Sequence, residues 1–147
     1  MSFDADQFLN SSVTGSNSTQ VIPVPMGDYQ GVIEKVVPRQ WRSKDGTQTG
    51  LSLDVTWLIE DQDVKEFLGR DTVSCKQGIM LDIANGGLDM APGKNVGLGR
   101  LREACGLNDG NAAFSFHSLP GQMARVSVKH RIVEEDTFAE VKAVAKL

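Results

Sequence analysis

Between Gly50 and Glu60 the chain reads GLSLDVTWLIE, with apolar residues at every second position. Leu51, Leu53, Val55, Trp57 and Ile59 share one phase, and Ser52, Asp54, Thr56 and Leu58 share the other. Side chains alternate across a strand with a period of two, so this stretch fits a strand that buries one face. A helix would scatter the same residues around its axis. Trp57 keeps phase with Leu53, Val55 and Ile59 and is therefore expected in the core.

The remaining segments extend the β pattern. In GDYQGVIEKVVP, Tyr29, Gly31, Ile33, Lys35 and Val37 alternate with Gln30, Val32, Glu34 and Val36, and both sets contain apolar members. That fits a long first strand bending around a barrel, with Gly27 or Gly31 easing the bend. EDQDVKEFLGR reads as a polar connection, DTVSCKQGIMLDI as a third strand, and ANGGLDMAPGKN as a long turn-rich loop. The period then changes. Val96, Leu98, Leu101, Cys105 and Leu107 fit one helical face, and Gly106 suits the residue just past its end. QMARVSVKHRIV and TFAEVKAVAKL alternate again, with EED between them as a hairpin tip. The order predicts an all-β fold: a five-stranded OB-fold Greek-key barrel with one helix between strands 3 and 4. An open antiparallel sheet backed by a helix is the alternative. Residues 10–20, NSSVTGSNSTQ, have almost nothing to bury. Residues 1–20 are thus expected to form a flexible arm, with a docking turn at Phe3, Phe8 and Leu9, ahead of a domain at 21–147.

A chain of 147 residues, 40% of them apolar, can bury one real core. Acids stand at the N-terminus where a secretory signal needs basic residues, and no apolar run is long enough to span a bilayer. A cytoplasmic location is expected. Cys75 and Cys105 have no metal-ligand spacing and read as buried free thiols. GLDMAPGKN places one residue too many before its Gly-Lys for a phosphate loop, and Asn95 stands where a magnesium-binding hydroxyl belongs. GLGR lacks the third glycine of a dinucleotide site. His117 and His130 lie far apart, and the carboxylates of EDQD and EED read as solvated turns. No catalytic residue, metal or cofactor is expected.

Binding signals are stronger. The segment RQWRSKDGTQTG sets Trp41 among Arg39, Arg42 and Lys44 in what reads as a loop. An exposed indole is unfavourable without a partner or a cover. Single strands are held by cations that follow the phosphates and by aromatic faces on which bases stack. An OB barrel offers such a surface on strands 2 and 3 and in the loops after strands 1 and 4. On that plan Trp41 stacks, and Arg39, Arg42 and Lys44 flank it. Lys76 lies on strand 3. Lys129, His130 and Arg131, with Phe138 beyond them, belong to the second loop. Tyr29 is a base-contact candidate that also suits a half-buried strand position. The net charge of −4 and sequence pI of about 5.1 exclude a globally basic binder but not a local positive groove.

PMGDYQGVIEKV, SKDGTQTGLSLDVTWLI, FLGRDTV, GLGRLREACGL and LPGQMARVSVKHR follow one another in this order. In that order the chain, from Pro25 to Val144, resembles bacteriophage single-stranded-DNA-binding proteins of the OB-fold type. The resemblance implies a sequence-nonspecific protein that coats and protects single-stranded DNA during phage replication or recombination in the host bacterial cytoplasm. It implies stacking and phosphate contacts at Trp41, Arg39, Arg42, Lys44 and the Lys129–Arg131 segment. The partners it implies are single-stranded DNA, a second copy in a homodimer, and phage replication or recombination proteins. Many such proteins end in an acidic tail, whereas this chain ends EVKAVAKL, so tail-mediated recruitment is not expected. The competing reading is a structural or adaptor β-barrel that acts through protein–protein contacts.

Overall fold

The computed structural model describes residues 2–147; Met1, the first residue of the expected arm, lies outside them. Strands β1 (Gly27–Arg42), β2 (Thr49–Ile59), β3 (Ser74–Leu81), β6 (Met123–Val133) and β7 (Asp136–Ala145) close into one barrel in the order β1-β2-β3-β7-β6. Every pairing is antiparallel except β3 with β7, which run parallel where Lys76 meets Glu140. Helix α3 (Val96–Ala104) lies between β3 and β6 in sequence and packs against β3 and β7. This is the OB-fold arrangement, and the closed barrel displaces the open-sheet alternative.

The inward rows follow the alternation. Leu53, Val55, Trp57 and Ile59 from β2 meet Cys75 and Ile79 from β3 and Ala124, Val126 and Val128 from β6. Leu98, Leu101 and Ala104 of α3 add the helical face, while Val96 is exposed and stands outside it. Trp57 is fully buried, and its Nε1–H donates to Gln77 Oε1 at 2.9 Å. The core's largest polar group is therefore satisfied. Strand β1 bends at a bulge, not at a glycine: the register with β2 shifts between Ile33 and Lys35. Before it Tyr29, Gly31 and Ile33 face inward; after it Val36 takes the inner phase and Lys35 and Val37 turn outward. Gly31 matters for a different reason. A Cβ there would lie 2.9 Å from Trp57 Cε3 and 3.1 Å from a Val126 methyl.

Four short elements stand in segments read from the sequence as connections or as the arm. Helix α2 (Gln62–Leu68) starts at Asp61, whose carboxylate accepts from Val64 N at 3.0 Å, and ends at Gly69 in the left-handed region (φ 67°). Strands β4 (Ile83–Ala84) and β5 (Gly87–Leu88) form a hairpin whose turn, Asn85–Gly86, has positive φ at both residues. At the N-terminus α1 (Ala5–Leu9) is capped by Asp4 and leaves Phe3, Phe8 and Leu9 exposed. The thiols of Cys75 and Cys105 are free, and burial pushes both upward, Cys75 to about 11. Cys75 is buried and Cys105 only half-buried. Among the described residues no helix is long and apolar enough to cross a membrane.

Replacing Gly31 with Ala forces Trp57 or Val126 to move and is expected to lower stability by about 1–3 kcal/mol. The urea midpoint should fall with an unchanged slope. Gly78→Ala, where a Cβ meets nothing within 4 Å, should leave the midpoint near wild type.

Candidate nucleic-acid interface

Residues paired directly across neighbouring strands share a face, so the register fixes what the barrel shows to solvent. One outward row crosses β1, β2 and β3 as Lys35, Thr56 and Lys76; Thr56 here and Ser52 two rows on are themselves buried between the flanking strands' side chains. It continues through the β3–β7 and β7–β6 pairs to Glu140 and Lys129. The next rows hold Val37, Asp54 and Gly78, then Arg39, Ser52 and Met80. The last holds Trp41 opposite Gly50.

Trp41 thus belongs to strand β1 and not to a loop. It is half-buried because its ring sits on Gly50: a Cβ there would lie 2.5–2.7 Å from Cζ2, Cε2 and Nε1. Its Nε1–H is buried and has no acceptor. An unmet buried donor costs about 1–3 kcal/mol, so this placement is not explained by the indole's own hydrogen bonding. Trp57 is the contrast, with its N–H bonded and no surface exposed.

Arg39 lies on the same face as Trp41. Its Nε donates to Asp54 Oδ2 at 3.0 Å, and its terminal nitrogens have no partner among the described residues. Such an exposed pair adds at most about 1 kcal/mol to stability. It does orient the guanidinium along the sheet. Arg42, by alternation, lies on the opposite face of the β1–β2 arm, and Lys44 sits in the tip beyond it. The tip is organised by Asp45, whose Oδ1 accepts from Ser43 Oγ, Thr47 N and Thr47 Oγ1 at 2.6, 3.0 and 2.7 Å. These hydrogen bonds hold the Asp45 carboxyl down at about 2.

The second region is a strand pair, not a loop. Lys129, His130 and Arg131 lie on β6, and the hairpin turns in two residues at Glu134, which has φ 57°. Lys129 and Arg131 face outward, opposite Glu140 and Phe138. Arg131 lies 3.6 Å from Glu140 and 5.7 Å from the centre of the Phe138 ring. Glu140 also holds Lys142 at 2.7 Å, so it neutralises part of this patch.

Two candidates do not join the outer face. His130 takes the inner phase, and its Nε2–H donates to the Val24 carbonyl at 2.7 Å, tying the lead-in segment to the barrel. Tyr29 packs against the core and donates to the Pro25 carbonyl at 2.8 Å. Burial, then the Asp61 charge, raises its hydroxyl pKa. The structure brings together Arg39, Trp41 and Lys76 on one face, with Lys129 and Arg131 around the barrel. It adds Lys35, which sequence reasoning missed because the bulge beside Glu34 reverses the phase of β1. Lys35, Arg42, Lys44, Lys76 and Lys129 make no ion pair within 4 Å among the described residues.

The topology and the open β1-β2-β3 face place this chain among OB-fold-like all-β barrels. No protein-family model matches the chain, and no curated protein sequence does. Among the described residues no group of three or more His, Cys, Asp or Glu is disposed to hold a metal ion.

Gly50→Ala should unseat the Trp41 ring, seen as a red shift of indole emission that is absent when Trp41 is also replaced by Phe. The Asp45 carboxyl lies below its unfolded value, so its bonds support the tip fully above about pH 4. That support is lost as pH falls through about 2. Thr47 and Gln48 amides should lose exchange protection in that window, and in an Asp45→Ala chain at neutral pH.

Proposed function

We propose that this chain is a sequence-nonspecific single-stranded-DNA-binding protein that coats exposed strands and has no catalytic step. The observation that carries the reading is Trp41. It is an indole left half-exposed, with its N–H unpaired, on the face of an OB barrel beside Arg39, which Asp54 orients, and on the same side as Lys35 and Lys76, which make no ion pair among the described residues. Every base has a π face, so stacking on one indole tolerates any sequence. Arg39, Lys35 and Lys76 then meet phosphates along β1-β2-β3, Arg42 and Lys44 reach from the arm, and Lys129 and Arg131 extend the track. A bacteriophage role in replication or recombination, within the host cytoplasm, follows the resemblance of the chain from Pro25 to Val144.

An acidic body with a local cationic track suits attraction that is short-ranged and easily screened, because the Debye length is about 10 Å at 0.1 M salt. The reading as an adaptor barrel draws on a different feature. A groove of about 710 Å³ lies beside the lead-in segment, lined in part by Ile22, Leu68 and Phe138.

Fluorescence anisotropy with a labelled oligo-dT tests the choice. Trp41→Ala should weaken binding about 5- to 100-fold, the equivalent of one lost stack. The logarithm of affinity should fall linearly with that of salt, with a slope near −0.7 for each phosphate neutralised. Lys76→Ala should shallow that slope while Trp41→Ala leaves it unchanged. No binding at low salt would reject the reading in favour of the adaptor.

A further inference from the structure

A cavity of about 500 Å³ opens between the β1–β2 arm and the connection from β3 to α3. Trp41 and Gln40 contribute to one side, and Asp82, Asp89 and Lys94 to the other. The second side is a built wall. Asn95, only 8% exposed, bonds through its side chain to Asp82 N, Asp82 O and Asp89 O at 2.7–3.0 Å. Its own backbone N–H donates to Asp82 Oδ2 at 2.9 Å, and Asp89 N donates to Asp82 O at 2.8 Å. Asp89 Oδ1 accepts from Ala91 N at 3.0 Å. Each carboxylate is therefore anchored by one oxygen, and its other oxygen has no partner among the described residues.

This is the wrong lining for a phosphate. Two carboxylates repel an anion, and neither is neutralised by an ion pair among the described residues. The occupant the cavity suits is flat, to lie on the indole, not anionic where it meets the carboxylates, and rich in N–H donors. A nucleobase meets all three conditions, and Lys94 can take the adjoining phosphate.

The bases differ in what they offer a carboxylate. Guanine presents an imino and an amino N–H side by side, a parallel pair of donors like the fork of an arginine. Cytosine and adenine offer an amino group beside an acceptor nitrogen. Thymine offers a single N–H between two carbonyls, whose oxygens face the carboxylate unfavourably. We propose that this cavity is a nucleobase pocket that selects guanine over thymine, so a largely sequence-tolerant protein has one position of preference. The inference rests on the single-stranded-DNA reading and deepens it.

The test uses the full chain and two unlabelled competitors of equal length, an oligo-dT and the same oligomer with one central dG. Wild type should prefer the dG-containing strand about 5- to 50-fold, the range of one good bidentate base contact. The salt slopes for the two strands should agree, because the difference lies in a base and not in a phosphate. In Asp89→Asn the amide oxygen can keep the Ala91 contact while an NH₂ replaces the acceptor in the cavity. Asp82→Asn does the same beside Asn95. At least one variant, shown folded by its far-UV circular dichroism, should bring the two oligomers within twofold of each other. Equal competition by both strands for wild type, or a preference that survives in both variants, would overturn the pocket while leaving single-strand binding intact. Failure of wild type to bind either strand would overturn both readings.

Discussion

The seating of Trp57 is the constraint on which the other features depend. Its ring is fully buried and close against Gly31 of β1, which Val126 of β6 also approaches, and its N–H is met by Gln77 of β3. One side chain therefore fixes three strands at once. Truncating a buried aromatic costs about 3–5 kcal/mol, a large share of the roughly 5–15 kcal/mol that holds a domain together. Because strand side chains alternate, placing Trp57 inward also places Ser52, Asp54 and Thr56 outward. Through the register, Lys35, Arg39, Trp41 and Lys76 then share that outer side, where Ser52 and Thr56 of the central strand are buried between their neighbours. A slip of one residue would reverse every one of these assignments. The candidate interface is a consequence of the core.

The parts of this arrangement that were readable in the sequence are those with an unbroken period. Strand β2 and helix α3 repeat their pattern long enough to identify both the element and most of its buried face, and strand β3 was identified as an element. The strand count and order followed from them. What was hidden is local. The bulge beside Glu34 inserts a residue without any composition signal, so Lys35 and Val37 were grouped with inward residues. The β4–β5 hairpin had a signal in Asn85–Gly86, but its strands are two residues each, too short to show alternation. Helix α2 had its cap in Asp61 and its stop in Gly69, yet only Val64 is buried, leaving no apolar stripe to detect.

The site was legible in outline and not in orientation. Composition picked out the Arg39–Lys44 segment, but reading it as a loop missed that strand pairing divides it: Arg39 and Trp41 go one way, and Arg42 goes the other. His130 and Tyr29 were drawn in by residue type. Each instead uses its polar atom to brace the backbone of the lead-in segment, at Val24 and Pro25. The His130 bond spans more than a hundred residues and has no trace in local sequence, whereas the Tyr29 bond is local and reaches back four residues. Gly50 is the opposite case, a glycine whose meaning appears only once its cross-strand partner is known to be Trp41.

The two indoles divide two tasks within this barrel. Trp57 serves the fold and is sealed. Trp41 sits on the rim with one side against Gly50, so stacking on it requires no rearrangement of the core. Charge is arranged in the same spirit. Asp54 and Glu140 lie in the outward rows and bind Arg39, Arg131 and Lys142. They hold those side chains in place and at the same time reduce the field they project. Of the candidate cations, Lys35, Arg42, Lys44, Lys76 and Lys129 are left without an ion pair among the described residues, spaced around the barrel instead of clustered. On the proposed reading, a polynucleotide on such a track gains from many weak, screened contacts and from a base stacked on Trp41. On that reading the grip is light enough for the strand to slide or be displaced.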